Sequence, residues 1–194
     1  NPNQGLSGTT CAKVENSDGA KRLLTANHIW ADEDFTGCED NSEKPADQGG
    51  DTLGTTKKSG TDDDFILVKS DTSDSFDNAV LDQRDGIRYN YFGYKTKSGI
   101  SDLIGTDTTV RQTGIATGTT KGKVKEYNKR SNECATYSGE GVKSSCNVID
   151  GDSGGPVYQI KTFSGSQGAV LVHMTNEGVT TDNSPPCGDR YLSN

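Results

Sequence analysis

The chain is short of apolar residues, of histidine and of positive charge, and each shortage closes off a class of protein. Hydrophobic residues make up 29% of its 194 positions, and no run of them approaches the roughly 20 needed to cross a bilayer, so no membrane partner is expected. Lys and Arg number 20 against 28 Asp and Glu, which gives a net charge of −8. That sign opposes the neutralisation of phosphates, so no nucleic-acid partner is expected. There are two histidines and no Cys-x-x-Cys pair among the five cysteines, which leaves zinc without its usual ligand spacing. The acidic stretch "SDTSDSFDNAVLDQRD" lacks the Asp-x-Asp-x-Asp-Gly spacing and distal Glu of a calcium loop, and it reads as a solvated surface. No metal and no cofactor are expected. The opening "NPNQGLSGTT" has neither a positive nor an apolar leader region, so a secretory signal or pro-segment is expected to be already removed or never present. No repeat of propeller or solenoid length occurs.

What the chain does have is glycine, 24 of them, with seven tyrosines and five phenylalanines. Short runs such as "GTTCAKVE", "KRLLTANHIW", "FILVK", "IRYNYFGY", "GGPVYQI" and "GAVLVHM" are bounded by Gly, Asp, Asn or Ser. This is an all-β pattern of brief strands joined by turns. Helical periodicity is weak and confined to "DNAVLDQR". The polar, turn-rich "GYKTKSGISDLI" suggests a boundary between two halves, residues 1–92 and 93–194. In an exported protein five cysteines make two disulfides and leave one thiol, with connectivity open at this point.

The segment "NVIDGDSGGPVY", residues 147–158, places three glycines, a serine and a proline within six consecutive positions. An ordinary turn needs fewer. Gly151, Gly154 and Gly155 would let backbone approach a reacting group, with Ser153 exposed on a tight bend. A serine nucleophile needs a base and a group to orient that base. His28 stands where the apolar run of "RLLTANHIW" ends. "TDDDFILVKS" offers Asp62, Asp63 and Asp64, of which Asp64 lies nearest the apolar run and is preferred.

In order, "LTANHIW", "DDDFILV" and "GDSGGPV" supply His28, Asp64 and Ser153 at separations of 36 and 89 residues. The chain resembles the chymotrypsin-like serine peptidases. "GDSGGP" matches that family's nucleophile motif at every position. "LTANHIW" is similar to its Leu-Thr-Ala-Ala-His-Cys signature, with Asn27 and Ile29 as replacements. The likeness is closest to the bacterial branch, the α-lytic protease, streptogrisin and glutamyl endopeptidase type. It rests there on "VRQTGIATGTTKGKV", residues 110–124, and on "CNVIDGDSGG" followed by "PPCGD".

This resemblance implies two six-stranded antiparallel Greek-key barrels with the active site between them, the first carrying His28 and Asp64 and the second Ser153. It implies a secreted, monomeric serine endopeptidase acting on protein or peptide, with the N–H groups of Gly151 and Ser153 as oxyanion hole. It also implies a Cys146–Cys187 disulfide. Cys11–Cys38 is the second expected pair and leaves Cys134, with Cys134–Cys146 as rival. Asp152 is expected to be buried and neutralised by Arg111. His173 aligns with one wall of the primary pocket, where it suggests a preference for Glu, and Asp150 nearby would oppose it. Met174, Thr175 and Asn176 are expected to pair with substrate backbone. The family's C-terminal helix is not found before "GDRYLSN", so either the end is trimmed or a segment lies beyond it. Two other readings stand beside this one: a catalytically silent scaffold that binds a partner, and a carbohydrate-binding β-sandwich with Trp30 alone for stacking.

Overall fold

β-Branched residues suit a half-buried pleated surface, and the Thr, Val and Ile runs do become strands. The computed structural model describes residues 8–15, 19–30, 40–48, 51–60, 64–70, 76–129, 140–175 and 190–193. The first sheet contains β1 (Ala12–Glu15), β2 (Lys21–Ala26), β3 (Pro45–Gln48), β4 (Asp51–Gly60) and β5 (Phe65–Ser70), bonded in the order β1-β2-β5-β4-β3. The second contains β6 (Ala79–Asp82), β7 (Ile87–Tyr94), β8 (Val110–Gly114), β9 (Gly118–Gly122), β10 (Val124–Lys129), β11 (Glu140–Ser144), β12 (Pro156–Phe163), β13 (Ser166–Thr175) and β14 (Arg190–Ser193). Its main path runs β10-β11-β14-β13-β12-β8-β9, with β7 joining β13 to β6.

The all-β class expected from the sequence is what the structure has, in two sheets where the resemblance implied two six-stranded antiparallel barrels. The described strands divide five and nine, and one pairing, β7 with β13, is parallel. Two local expectations are corrected. "DNAVLDQR" is strand β6, not helix, because its burial alternates with period two. The turn-rich "GYKTKSGISDLI" instead contains the one α-helix among the described residues, α1 (Lys97–Ser101), whose N-cap Thr96 accepts a hydrogen bond from Gly99 N–H. The boundary expected at 92/93 falls inside β7, whose partners are β6 and β13. A division drawn by pairing would come before β6.

Three apolar clusters position the site. Val110, Val124, Val142, Val157 and Val172 fill the second sheet with Ile100 and Leu103 of the helical segment. Leu23, Ala46 and Val68 fill the first. The third lies between the sheets, where Cys11, Ala26 and Ile29 meet Met174 of β13, with Leu24, Phe65 and Leu171 around them. It ties the end of β2, from which His28 emerges, to the strand beside the serine loop.

Ile66, fully buried on β5 directly after the Asp64 turn, is a test of the first sheet. Ile66→Ala should lower the unfolding free energy by about 2–5 kcal/mol, seen as a lower urea midpoint at unchanged slope.

Candidate active site

The turn after β2 is a short 3-10 segment, Asn27–Trp30, so the backbone N–H of His28 points out of the strand and needs an acceptor. Asp64 supplies it. One carboxylate oxygen accepts from His28 N–H at 2.8 Å, and the other accepts from His28 Nδ1 at 2.7 Å. A carboxylate can only accept, so Nδ1 carries the hydrogen and Nε2 is left as the basic nitrogen. Asp64 reaches this pose with φ of +46°, a left-handed conformation tolerated by Asp but strained, of the sort found at functional turns. Its own carbonyl accepts from Asn27 N–H at 3.1 Å. Asp62 and Asp63 lie outside the described residues.

Asn27, where the family signature has alanine, is fully buried. Its side-chain oxygen accepts from Asn41 Nδ2 at 3.3 Å, and the Asn41 carbonyl accepts from Thr56 Oγ1 at 2.6 Å. The histidine turn is thereby anchored to β4. Asn41 left no mark in the sequence, since one polar residue in an acidic loop looks like any other.

Ser153 stands on the loop between β11 and β12. Asp152 N–H donates to Ile149 O, Gly154 N–H to Thr175 O and Gly155 N–H to Asp152 O. Within the Gly151–Gly155 stretch, Gly151 N–H and Ser153 N–H meet no acceptor among the described residues. Gly154, with φ of +85°, packs so closely on the histidine strand that a Cβ there would overlap Thr9 O and Thr25 Oγ1 and lie 3.0 Å from Ala26 N. That contact brings the serine loop against the residues immediately ahead of His28. Among the described hydrogen bonds none joins Ser153 Oγ to His28; such contacts are often long in unliganded sites.

Asp152 is fully buried, but the Arg111 pairing expected from the sequence is not formed. The Asp152 carboxylate accepts from Ala116 N–H and Thr117 N–H at 3.0 Å each, from Thr117 Oγ1 at 2.7 Å and from Ile149 N–H at 3.1 Å. Four neutral donors occupy the space a cation would need. Gly114 has no room for a side chain against Asp152, which keeps the β8–β9 turn within reach. Arg111 points the other way, to Asp82 and Asp85, and Asp82 also accepts from Tyr158 Oη at 3.2 Å. Burial alone would raise Asp82, but the Arg111 guanidinium holds its carboxyl below the usual range. Burial works against the charge on Arg111 too, and the two aspartates more than offset it.

On β13, His173 is 4% exposed. Its Nδ1 lies 3.1 Å from Met174 O, and a carbonyl accepts only, so Nδ1 donates and Nε2 is a bare acceptor. Burial pushes the ring down to about 3, so it is neutral near pH 7. Among the described residues Nε2 has no partner, and neither does the buried Oγ1 of Thr175; residues two apart on a strand share a face. The expectation that Thr175 pairs with substrate backbone is corrected, because its N–H and C=O are already bonded to Gly155 and Gly154. Met174 is paired with Pro156 on one side and Ser193 on the other, and its side chain belongs to the seam between the sheets. Asp150 is exposed. Asn176 lies outside the described residues, as do Cys38, Cys134 and Cys187, which the expected disulfides require; Cys11 and Cys146 are both buried.

No protein-family model matches the chain, and no curated protein matches its sequence. Solved structures do. A Nocardiopsis protease shares 18% identity at a TM-score of 0.67, over 97% of this chain and 91% of that one. A glutamic-acid-specific serine protease, described as using a histidine triad in substrate binding, shares 19% identity at 0.66, over 96% and 86%. Chymotrypsin of Cellulomonas bogoriensis shares 18% at 0.62, over 97% and 88%. The fold is that of the bacterial chymotrypsin-like serine proteases.

Within that fold the cradle of Asp152 was the feature hardest to read. Thr117 lies inside the "TGIATG" turn that carried the resemblance, but a buried carboxylate directs attention to a cation and not to a turn of neutral N–H groups. Arg111→Gln should therefore act on stability: it strands the buried Asp82 at a cost of about 3–5 kcal/mol. The loss should be seen as a lower urea midpoint at unchanged slope. His173 sets a pH dependence. Its ring is held at about 3 when folded, whereas an unfolded imidazole titrates near 6.5. Between those values the unfolded chain binds more protons, so this stability is present above about pH 6.5 and lost as pH falls toward 3. Melting midpoints should fall from pH 7 to pH 4, and His173→Leu should flatten that slope by up to one proton.

Proposed function

We propose that the chain is a secreted serine endopeptidase that hydrolyses peptide bonds through an acyl-enzyme on Ser153, with Glu taken into the primary pocket in its protonated form. The observation that carries the reading is an oriented base, His28 held by both oxygens of Asp64, in a molecule whose serine loop leaves the Gly151 and Ser153 N–H groups unused. Ser153 Oγ adds to the substrate carbonyl carbon as His28 Nε2 takes its proton. The carbonyl oxygen becomes anionic and is held by the two N–H groups, each such donor being worth about 3 kcal/mol. The tetrahedral species collapses, the C–N bond breaks, and the amine leaves with the proton from His28. Water then repeats the sequence and frees the acid. Asp64 stabilises the imidazolium formed in each half. Five cysteines fit an oxidising, extracellular setting.

The substrate side chain is read from His173. Its Nε2 and Thr175 Oγ1 are buried and, among the described residues, unpartnered, which suits a polar group reaching into the pocket. A three-histidine arrangement is closed to this chain, because it has two histidines and one of them is His28. A bare Nε2 bonds a carboxylic acid or an amide, not a carboxylate, so a Glu side chain enters with one proton while Gln needs none.

Cleavage of a peptide library by the full chain, with Ser153→Ala as control, tests both levels. Peptide bonds should be cut, and the control should be inert but folded. The ratio of kcat/KM for Glu over Gln should fall as pH rises, by up to tenfold per unit. No cleavage by the parent would overturn the peptidase reading. A Glu-to-Gln ratio flat in pH would overturn the pocket reading alone.

A further inference from the structure

Thr9, which the mechanism above does not use, spends all its polar groups at the join between the two halves of the site. Its N–H donates to Ser153 O at 2.7 Å. Its hydroxyl donates to Gly151 O at 3.0 Å and accepts from Ile115 N–H at 2.9 Å. Its carbonyl accepts from Thr25 Oγ1 at 2.7 Å, and Thr25 lies in the strand leading to His28. One residue thus bonds the serine loop twice, the turn that cradles Asp152 once and the histidine strand once.

The consequence lies in which peptides are held. Gly151 N–H belongs to the 150–151 peptide and Ser153 N–H to the 152–153 peptide. The peptide between them, 151–152, carries the carbonyl that the Thr9 hydroxyl grips, and the one beyond, 153–154, carries the carbonyl that Thr9 N–H grips. Gly151 sits at φ of +97°, and a glycine there turns at little steric cost. Nothing in its own side chain keeps its peptides from rotating, so their orientation must be imposed from outside. The Asp152 cradle fixes one side of the loop, and Thr9 fixes the other.

We infer that Thr9 is a positioning residue for the oxyanion hole, holding the 151–152 peptide so that the N–H groups on either side of it stay aimed at one point. This rests on the reading of Gly151 and Ser153 N–H as the oxyanion donors. A hydroxyl is required because a single atom must both give a hydrogen to Gly151 O and take one from Ile115 N–H. Valine has the shape of threonine and can do neither, whereas serine can do both.

The test compares Thr9→Val and Thr9→Ser with the parent chain in peptide hydrolysis, in inhibition by a peptide boronate that forms a tetrahedral adduct on serine, and in competition by a product peptide. Thr9→Val should lose kcat by about 10- to 100-fold, less than deletion of an oxyanion donor itself costs, with KM within about twofold. Boronate affinity should weaken by a similar factor and product binding should not change, because only the tetrahedral oxygen uses the hole. Thr9→Ser should stay within about threefold of the parent in every readout. Thr9→Ala repeats the comparison if Thr9→Val does not fold. Equal loss in boronate and product binding, or equal loss in the serine and valine variants, would overturn the inference. So would a valine variant as active as the parent while the parent itself cleaves peptides; a parent that cleaves nothing would overturn this inference together with the function it rests on.

Discussion

The absence of side chains at two successive positions is the constraint on which the site depends. At Gly154 a Cβ would overlap Thr9 O and Thr25 Oγ1, and at Gly155 it would press on Thr113 O and lie 2.9 Å from Asp152 O. The first contact brings the serine loop down on the strand that ends in His28. The second seats the loop on β8. Any larger residue would lift the loop off one sheet or the other and separate His28 from Ser153, residues 125 positions apart. The glycine-rich hexapeptide is therefore a packing solution between the two sheets. Gly151 adds a left-handed turn, φ +97°, that L side chains rarely adopt.

Around that contact the polar groups are satisfied locally. Asp64 accepts a strained backbone conformation and in return uses both carboxylate oxygens on one histidine. Among the described residues Asp152 has no counter-ion; three backbone N–H groups and one hydroxyl solvate it. The buried cation–anion pair lies elsewhere, where Arg111 of β8 meets Asp82 and Asp85 at the β6–β7 turn. There it ties the middle of the chain to the second sheet, and the Tyr158 hydroxyl reaches both Asp82 and Thr113 from beneath.

The all-β class was legible because period-two alternation and glycine punctuation are local signals, and the pairing of His28 with Asp64 was legible because motif residues travel with their neighbours. What failed were pairings between distant residues. The resemblance implies a cation from the start of the second barrel for Asp152, yet Arg111, near the start of β8, meets Asp82 and Asp85, while Asp152 lies against Gly114 at the other end of that strand. Thr175 lies on the strand that the resemblance assigns to substrate pairing, but Gly154 and Gly155 occupy its backbone groups. Asn41 and Thr9 have no motif of their own; each acts through hydrogen bonds to residues distant in sequence that only the fold brings together. The helix at 97–101 was hidden in a segment whose Gly and Ser content reads as a turn, and it forms because Thr96 caps it and Ile100 is buried in the second core.

The central claim is that the Asp64–His28 pair serves Ser153. It is tested most directly by mapping where a fluorophosphonate attaches to the full chain, in parallel with His28→Ala and Asp64→Asn. Attachment to Ser153 alone, fast in the parent and strongly slowed in both variants, is the predicted result. Attachment at another residue, no attachment, or an equal rate in all three chains would contradict it.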